Sequence, residues 1–304
     1  MKIKNVNNGR KWLQILRALT PRKLGVKIEY RQKCKRKLNF NNPKRYTEKI
    51  QLYKLKYKNP LLHKLADKDT VRDYVKEKGF AHILNEQYGA YDNVDAINFE
   101  KLPNKFVIKM NTGSGLNILV EDKAKFDIKK TKIVLNKWLK IKPWVFGSEW
   151  AYKNIKPRIV IEKYLDRDSN NDLPDYKFFC FDGEVEYLYV MKEYIDNHKS
   201  GKLSFFDKNF NKTKYHRSDY KPINQEIPKP KNFDEMINIA KSLSKGIPHV
   251  RVDLYNIDGR IVFGELTFYT SGGYINFIPD EFDFILGRNF NLDKITEKGK
   301  NING

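Results

Sequence analysis

Two cysteines, Cys34 and Cys180, are all that a chain of 304 residues contains. They lie far apart and in no C-x-x-C pair, which argues against a disulfide framework or a cysteine-built zinc site. The five histidines (His63, His82, His198, His216 and His249) show no H-x-x-x-H spacing and read as surface or packing residues. No run approaches the ~20 apolar residues of a membrane span. Neither G-x-x-x-x-G-K-[ST] nor G-x-G-x-x-G ahead of a helix occurs, so the familiar phosphate loops are absent. A secretory signal is not read at the N-terminus either, because the apolar stretch 12–19 is broken by Gln14 and Arg17 and lacks a small-residue cleavage site. A reducing cytoplasm is the expected location.

Positive charge is what the chain has in excess. Lys and Arg number 59 against 37 acidic residues, a formal charge of +22. Such a field attracts polyanions: nucleic acid, nucleotides, anionic lipid or acidic polysaccharide. The abundance of Lys, Asn and Ile gives biased codon usage as a plain alternative cause. With 40% hydrophobic and 13% aromatic residues the chain is globular in composition. Its length suits one elaborated domain, or two or three subdomains around a cleft.

Residues 10–24 form a short basic amphipathic pattern interrupted at Pro21. Trp12, Leu13, Ile15, Leu16 and Leu19 could meet a membrane surface, with Lys11, Arg17, Arg22 and Lys23 near headgroups, or could pack on the protein itself. Thr47 and Glu48 open a helix with Ile50, Leu52, Tyr53 and Leu55 inward, interrupted at Pro60. A second helix over 68–78 ends at Gly79. Strands are expected at 106–110, 117–120 and 158–162. A polar, linker-like stretch (166–174) precedes a hairpin of 175–181 and 184–190 around Asp182-Gly183, and a helix follows at 232–245. Trp138, Trp144 and Trp150 read as packing residues.

Chemistry concentrates in three places. The loop Asn111-Thr112-Gly113-Ser114-Gly115 joins two strands, and its glycines leave backbone N–H groups open to phosphate. Taken alone it equally suits a flexible hairpin tip. Lys109, on the strand feeding it, could reach an α- or β-phosphate or simply sit at a sheet edge. The run from His249 to Gly273 alternates over 250–255 and 260–268 around turn residues 256–259, a β-hairpin. With a three-residue loop, 257–259, Arg251 lies opposite Glu265 and Asp253 opposite Phe263, and both acids share one face. An even loop would put them on opposite faces. Paired hard oxygens suit Mg²⁺ completed by water and phosphate, and the alternative is a solvated surface hairpin.

Taken in order, Asp67-Lys68, Lys109 with N-T-G-S-G, Glu162-Lys163-Tyr164, Asp175-Tyr176-Lys177 and R-V-D…G-E-L-T resemble the ATP-grasp superfamily. The last run is similar to the R-V-D-F…E-I-N signature of D-alanine–D-alanine ligases. LNFNNPKRYTEKIQ, LADKDTVRDYVKEKG, LPNKFVIKMNTGSG, DYKFFCFDGE and VRVDLYN…GELTFY together resemble the TupA-like ATP-grasp family of surface-polysaccharide and teichuronopeptide biosynthesis, over residues 38–290. The resemblance implies an α/β fold in which two α+β subdomains clasp ATP between two sheets. It divides the chain into a basic helical region (1–66), an ATP-grasp region (67–162 with the glycine loop, 163–290 with the metal hairpin) and a polar tail (291–304).

The implied reaction activates a carboxylate as an acyl phosphate, releases ADP and transfers the acyl group to an amine. ATP and Mg²⁺ are the implied cofactors. Lys68, Lys109, Asn111, Gly113, Ser114, Gly115 and Lys177 would bind ATP, and Glu162, Lys163, Tyr164 and Leu165 would form the hinge that holds adenine. Asp253 and Glu265 would hold metal, and Arg251 would be catalytic. Thr267 stands where many of these ligases have a metal-bridging Asn, which implies a second metal site weakened or completed by water. Ser271, Gly272 and Gly273 would meet the acceptor, in a segment lacking the proline common nearby. The implied substrate is an acidic glycan or amino acid, free or lipid-linked, at the inner face of the membrane. A glycosyltransferase of the same pathway is the enzyme alternative. A nucleic-acid-binding protein is the non-enzymatic one, against which stand dispersed basic residues and the lack of a nucleic-acid motif.

Overall fold

The structure, a computed structural model, describes residues 20–113, 115–141, 148–195 and 200–297. The apolar residues of the N-terminal amphipathic pattern, Ser114, Trp144 and His198 lie outside the described residues. Helices α1 (Arg22–Cys34), α2 (Tyr46–Lys56), α3 (Leu61–Ala66) and α4 (Val71–Glu77) come first. Thr47 is not the cap of α2: its N–H and hydroxyl both donate to the buried Asp283 carboxylate, at 2.9 and 2.7 Å. Glu48 does the capping, accepting from the amides of Lys44 and Arg45 at 3.0 and 3.1 Å. Helix α4 starts at Val71 rather than at residue 68, because the Asp67 side chain takes the Asp69 amide at 2.8 Å and holds 67–70 as a turn. It ends before Gly79, whose φ of +86° suits the expected stop.

Strands β1 (Gln87–Tyr91), β2 (Phe106–Met110), β3 (Asn117–Val120) and β4 (Ile159–Lys163) form an antiparallel sheet in the order β1-β4-β2-β3. Alternation explains it. Phe106, Ile108, Met110, Ile118, Val120, Ile159 and Ile161 point to one side and pack with Leu135 and Trp138 of α5 (Ile128–Trp138). The other face carries Lys109 and Glu162.

The second sheet contains β5 (Asp175–Phe181), β6 (Glu184–Lys192), β7 (Lys202–Asp207), β9 (Val250–Ile257) and β10 (Arg260–Thr267), in the order β10-β9-β5-β6-β7, again antiparallel. Between β7 and β9 come β8 (His216–Arg217) and α6 (Phe233–Ser244); β11 (Phe277–Ile278), α7 (Glu281–Asn289) and α8 (Asp293–Glu297) follow β10. Helix α6 covers the face bearing Phe178, Cys180, Val252 and Leu254, as the Phe178–Phe233 ring contact at 6.1 Å shows. On the opposite face, α2 and α7 cover one end, where Tyr46, Phe179, Phe205, Phe277 and Phe282 meet edge to face. His249 is buried among them and its pKa is lowered by burial to about 3, so it packs as a neutral ring whose Nδ1 donates to the Cys180 carbonyl and whose Nε2 accepts from Tyr46 Oη, at 2.9 Å each. The remainder of that face is left for polar chemistry. Stretch 166–174 is not a loose linker: Ser169 donates through its amide and hydroxyl to Asp258 at 2.9 and 2.8 Å, and the Asp172 carboxylate accepts from the Glu193 amide.

Candidate active site

One row of side chains crosses the whole five-stranded sheet. Glu265 pairs with Asp253, Asp253 with Lys177, Lys177 with Tyr189 and Tyr189 with Phe205, strand by strand. Directly opposed residues of antiparallel strands share a face, so two carboxylates and a lysine stand side by side. The next row contains Thr267, Arg251 and Phe179.

The hairpin reaches this arrangement by another register than the three-residue loop predicts. Ile257 pairs with Arg260, so the loop is only Asp258-Gly259, both left-handed at φ 50° and 94°, the Asp-Gly preference of a two-residue turn. Left alone, that even loop would separate the acids. A bulge at Gly264 shifts the pairing once more and returns Glu265 to the face of Asp253. Arg251 therefore faces Thr267 rather than Glu265, and Asp253 faces Glu265 rather than Phe263. Glycine suits the bulge, because a Cβ there would lie 3.0 Å from the Asp253 carbonyl oxygen, a tight contact.

The row is knit together by charge. Lys177 Nζ lies 2.5 Å from Asp175 Oδ2 and 2.6 Å from Asp253 Oδ2. Arg251 grips Asp253 with Nε and Nη2, both at 2.6 Å, and donates from Nη1 to Tyr189 Oη at 3.0 Å. Its Nη2 also donates to Thr267 Oγ1 at 3.1 Å, and the Thr267 hydroxyl donates to Glu265 Oε1 at 2.9 Å. Burial alone would raise the Glu265 carboxyl, yet Lys68, Lys177 and Arg251 hold it down at about 2, so it is ionised at neutral pH. Burial raises Asp175 to about 6 against the pull of Lys177, and its Oδ1 is buried with no partner among the described residues. Burial likewise disfavours the charged Lys177, but Asp175 and Asp253 outweigh it and keep the ammonium protonated.

Lys68 spans the two sheets. From the 67–70 turn its Nζ donates to the Gly113 carbonyl at 2.8 Å and approaches Glu265 Oε2 at 3.3 Å. The turn is fastened to the glycine loop by the Lys68 amide on the Asn111 carbonyl (3.0 Å) and by Asn111 Nδ2 on the buried Asp67 (2.9 Å). Asn111 thus anchors the loop from inside, and Gly113 and Gly115 take φ of 74° and 77°. Lys109 sits 2.8 Å from Glu162, whose carboxyl burial would raise but Lys109 lowers. After Glu162 the chain exposes Lys163, whose amide donates to the Glu86 carbonyl at 2.9 Å, and buries Tyr164 with its hydroxyl on Glu121 at 2.8 Å. Leu165 continues half-buried.

Beyond the hairpin, 270–273 is a tight turn with Ser271, Gly272 and Gly273 at φ 49°, 63° and 72°. Gln51 Nε2 donates to the Gly273 carbonyl at 2.9 Å and the buried Lys54 to that of Gly272 at 2.7 Å. Ser271 Oγ accepts from Arg217 at 3.0 Å. Lys177, Arg251, Asp253, Glu265, Thr267 and Lys68 are therefore one cluster, in contact with the glycine loop through Lys68. The Lys109–Glu162 pair stands on the other sheet. Asp175, Asp67 and Tyr189 were not among the residues singled out for the site. Alternation could have flagged Asp175, two residues before Lys177 on one strand, whereas Tyr189 needs the strand register.

The donor set suits Mg²⁺. Two hard carboxylates adjoin on one face with a hydroxyl beside them, and Mg²⁺ usually takes one or two protein carboxylates with the substrate's phosphates. Among the described residues no group of three His, Cys, Asp or Glu is placed to hold a metal ion.

The model of a family described as TupA-like ATPgrasp matches residues 48–291 of this chain. Similar solved structures include a D-alanine–D-alanine ligase from Bacillus anthracis, at 18% identity and TM-score 0.44 over 78% of this chain and 70% of that one. They also include an ADP complex of purK, N5-carboxyaminoimidazole ribonucleotide synthetase, at 14% and 0.41 over 68% and 46%. A third is phosphoribosylamine–glycine ligase from Thermotoga maritima, at 13% and 0.38 over 68% and 48%. The chain spans about half the length of the last two. No curated protein sequence matches this chain.

Proposed function

This chain belongs to the TupA-like ATP-grasp family of ATP-dependent ligases, and from that premise we propose that it joins a carboxylate to an amine through an acyl phosphate, with ADP as the released nucleotide. The observation that carries this reading is the row Glu265–Asp253–Lys177, tied by Lys68 to the glycine loop of the other sheet. It sets two carboxylates for Mg²⁺ and two lysines for phosphate within one cluster.

Lys68, Lys109 and Lys177 bind phosphate oxygens, and the loop of Asn111, Gly113, Ser114 and Gly115 closes over them with its amides. The Lys163 amide is already used by Glu86 and its carbonyl accepts from Asn85 Nδ2, so adenine is held by the Leu165 amide and the second lone pair of the Lys163 carbonyl, flanked by Glu162 and Tyr164. Asp253 and Glu265 hold Mg²⁺, with Thr267 as a metal or water contact. Mg²⁺, when bound, offsets phosphate charge and so eases nucleophilic attack by the carboxylate. Arg251 steadies the acyl phosphate and the tetrahedral adduct as charge develops, an electrostatic role, while its grip on Asp253 also orients that ligand. Ser271, Gly272 and Gly273 line the acceptor side.

The substrate is an acidic glycan or amino acid of bacterial capsule or cell-wall polysaccharide, lipid-linked or free, which gives the +22 charge a partner. Among the described residues no helix is long and apolar enough to cross a membrane, and contact with the inner face runs through the basic N-terminus. The test is ADP release against a panel of amino acids and uronic acids with amine acceptors, followed by product mass. An amide formed with stoichiometric ADP is expected. ADP formed in no combination, or a glycosidic product, would sink this reading.

A further inference from the structure

Arg217, on β8, has no part in the chemistry above. Its side chain is 6% exposed, whereas its ion-pair partner Asp219 is 56% exposed. Nε and Nη2 donate to the two oxygens of Asp219 at 2.9 and 2.7 Å, and Nη2 also reaches Ser271 Oγ at 3.0 Å. The guanidinium lies over the Tyr220 ring at 5.1 Å. Burying a guanidinium costs several kcal/mol, and one half-solvated carboxylate two residues away is a weak structural reason to do it.

The position of Arg217 is more telling. It pairs with Phe277, and Phe277 packs at 5.9 Å against Phe205, the last member of the transverse row. The side chain therefore meets the site from the β7 end. Tyr189, whose hydroxyl accepts from Arg251, is within electrostatic reach of Arg217, and Tyr220 is within reach of Lys177. Its other contact, Ser271, belongs to the turn directly after the hairpin. A cation thus stands at the margin of the proposed reaction centre with its planar fork already shown to fit a carboxylate, the geometry at which arginine excels.

We propose that Arg217, with Ser271 and the face of Tyr220, forms the subsite for a carboxylate of the second substrate, an acidic sugar or an acidic amino-acid residue, and that Asp219 occupies the fork in its absence. This rests on the ligase reading above. The substrate carboxylate displaces Asp219, which at 56% exposure turns to solvent at little cost, and bonds the fork and the Ser271 hydroxyl.

The probes are tri-galacturonate and tri-L-glutamate, titrated by calorimetry into the protein loaded with Mg²⁺ and a non-hydrolysable ATP analogue. Salt above physiological strength screens the general attraction of the +22 surface. Wild type should bind at least one probe, and the preferred one tells a sugar acid from a peptide acid. Arg217→Gln should weaken that binding at least about 30-fold, which is roughly 2 kcal/mol and within the range for a charge-assisted hydrogen bond, with the nucleotide affinity unchanged. Asp219→Asn, which removes the internal competitor, should bind the probe as tightly as wild type or more so. If the ion pair is merely structural, both variants lose binding together, and the proposal falls. It falls equally if wild type binds neither probe or if Arg217→Gln changes nothing. Arg217-dependent probe binding by a protein that binds no nucleotide would leave the subsite standing and overturn the ligase reading instead.

Discussion

The two sheets manage their charges in different ways. On the four-stranded sheet Lys109 and Glu162 make a close pair, 2.8 Å apart, with side chains 27% and 10% exposed, and Arg72 and Asn85 also face Glu162. In the cluster on the five-stranded sheet the charges are shared. Lys177 is shared by Asp175 and Asp253, Asp253 by Lys177 and Arg251, and Arg251 by Tyr189 and Thr267. A part-exposed lysine can turn to an incoming phosphate while Arg72 and Asn85 still face Glu162. A shared, buried network resists the loss of any one member, because each removal leaves others unpaired in low dielectric. The first arrangement suits a contact that forms and breaks with each nucleotide, the second a platform that stays put.

The hardest blow to that contrast is Lys177→Met, which leaves Asp175 and Asp253 together without their common cation. It should cost about 3–5 kcal/mol in urea-denaturation stability, the usual effect of breaking a buried charge pair; a cost under about 1 kcal/mol would show that the network is not cooperative. Next comes Arg251→Lys, which keeps the charge and loses the fork. It should lower kcat roughly 10²- to 10³-fold in steady-state ADP release and change nucleotide affinity far less. Full kcat would remove Arg251 from the chemistry.

On the other sheet, Lys109→Ala should cost less urea-denaturation stability than Lys177→Met but weaken binding of the ATP analogue by about 1.5–3 kcal/mol in calorimetry. An unchanged Kd would end the assignment of Lys109 to phosphate. The gentlest probe is pH. Glu265 is held at about 2 in the folded protein against an unfolded value of 4.5, so its contribution to stability is complete above pH 4.5 and is lost as pH falls from there toward 2. Glu265→Gln should abolish Mg²⁺-dependent turnover and also flatten stability against pH within that window, and an acid limb as steep as wild type's would mean that the cations around Glu265 do not stabilise its charge.

Much of the fold was legible because it follows from local alternation. The strands bearing Lys109, Lys177 and Asp253, the helix stop at Gly79 and the hairpin around Asp258-Gly259 all follow from side-chain period and turn chemistry. What escaped was register. The bulge at Gly264 is a shift in the pairing of two strands, which neither strand signals by itself. The helix start beyond Lys68 escaped for a similar reason, since the Asp67 side chain and its long-range partner Asn111 hold the turn open. Arg217 gave no signal at all: its place is set by a two-residue strand pairing sixty residues away in sequence with Phe277.

The Gly264 bulge also makes the carboxylate pair a matter of odd and even counting. Between Asp253 and Glu265 the chain contains two parity steps, the two-residue tip and the extra bulge residue, and they combine to put both acids on one side. Deleting Gly264 should leave Glu265 opposite Asp253, since Phe263 would run straight on to it, whereas regular pairing through a retained Gly264 would send the Glu265 side chain toward α6. A chain of the same design could therefore move its irregularity from rim to tip and keep its site, and the trait to trace between such chains is the parity of the whole hairpin rather than the identity of any residue in its turn.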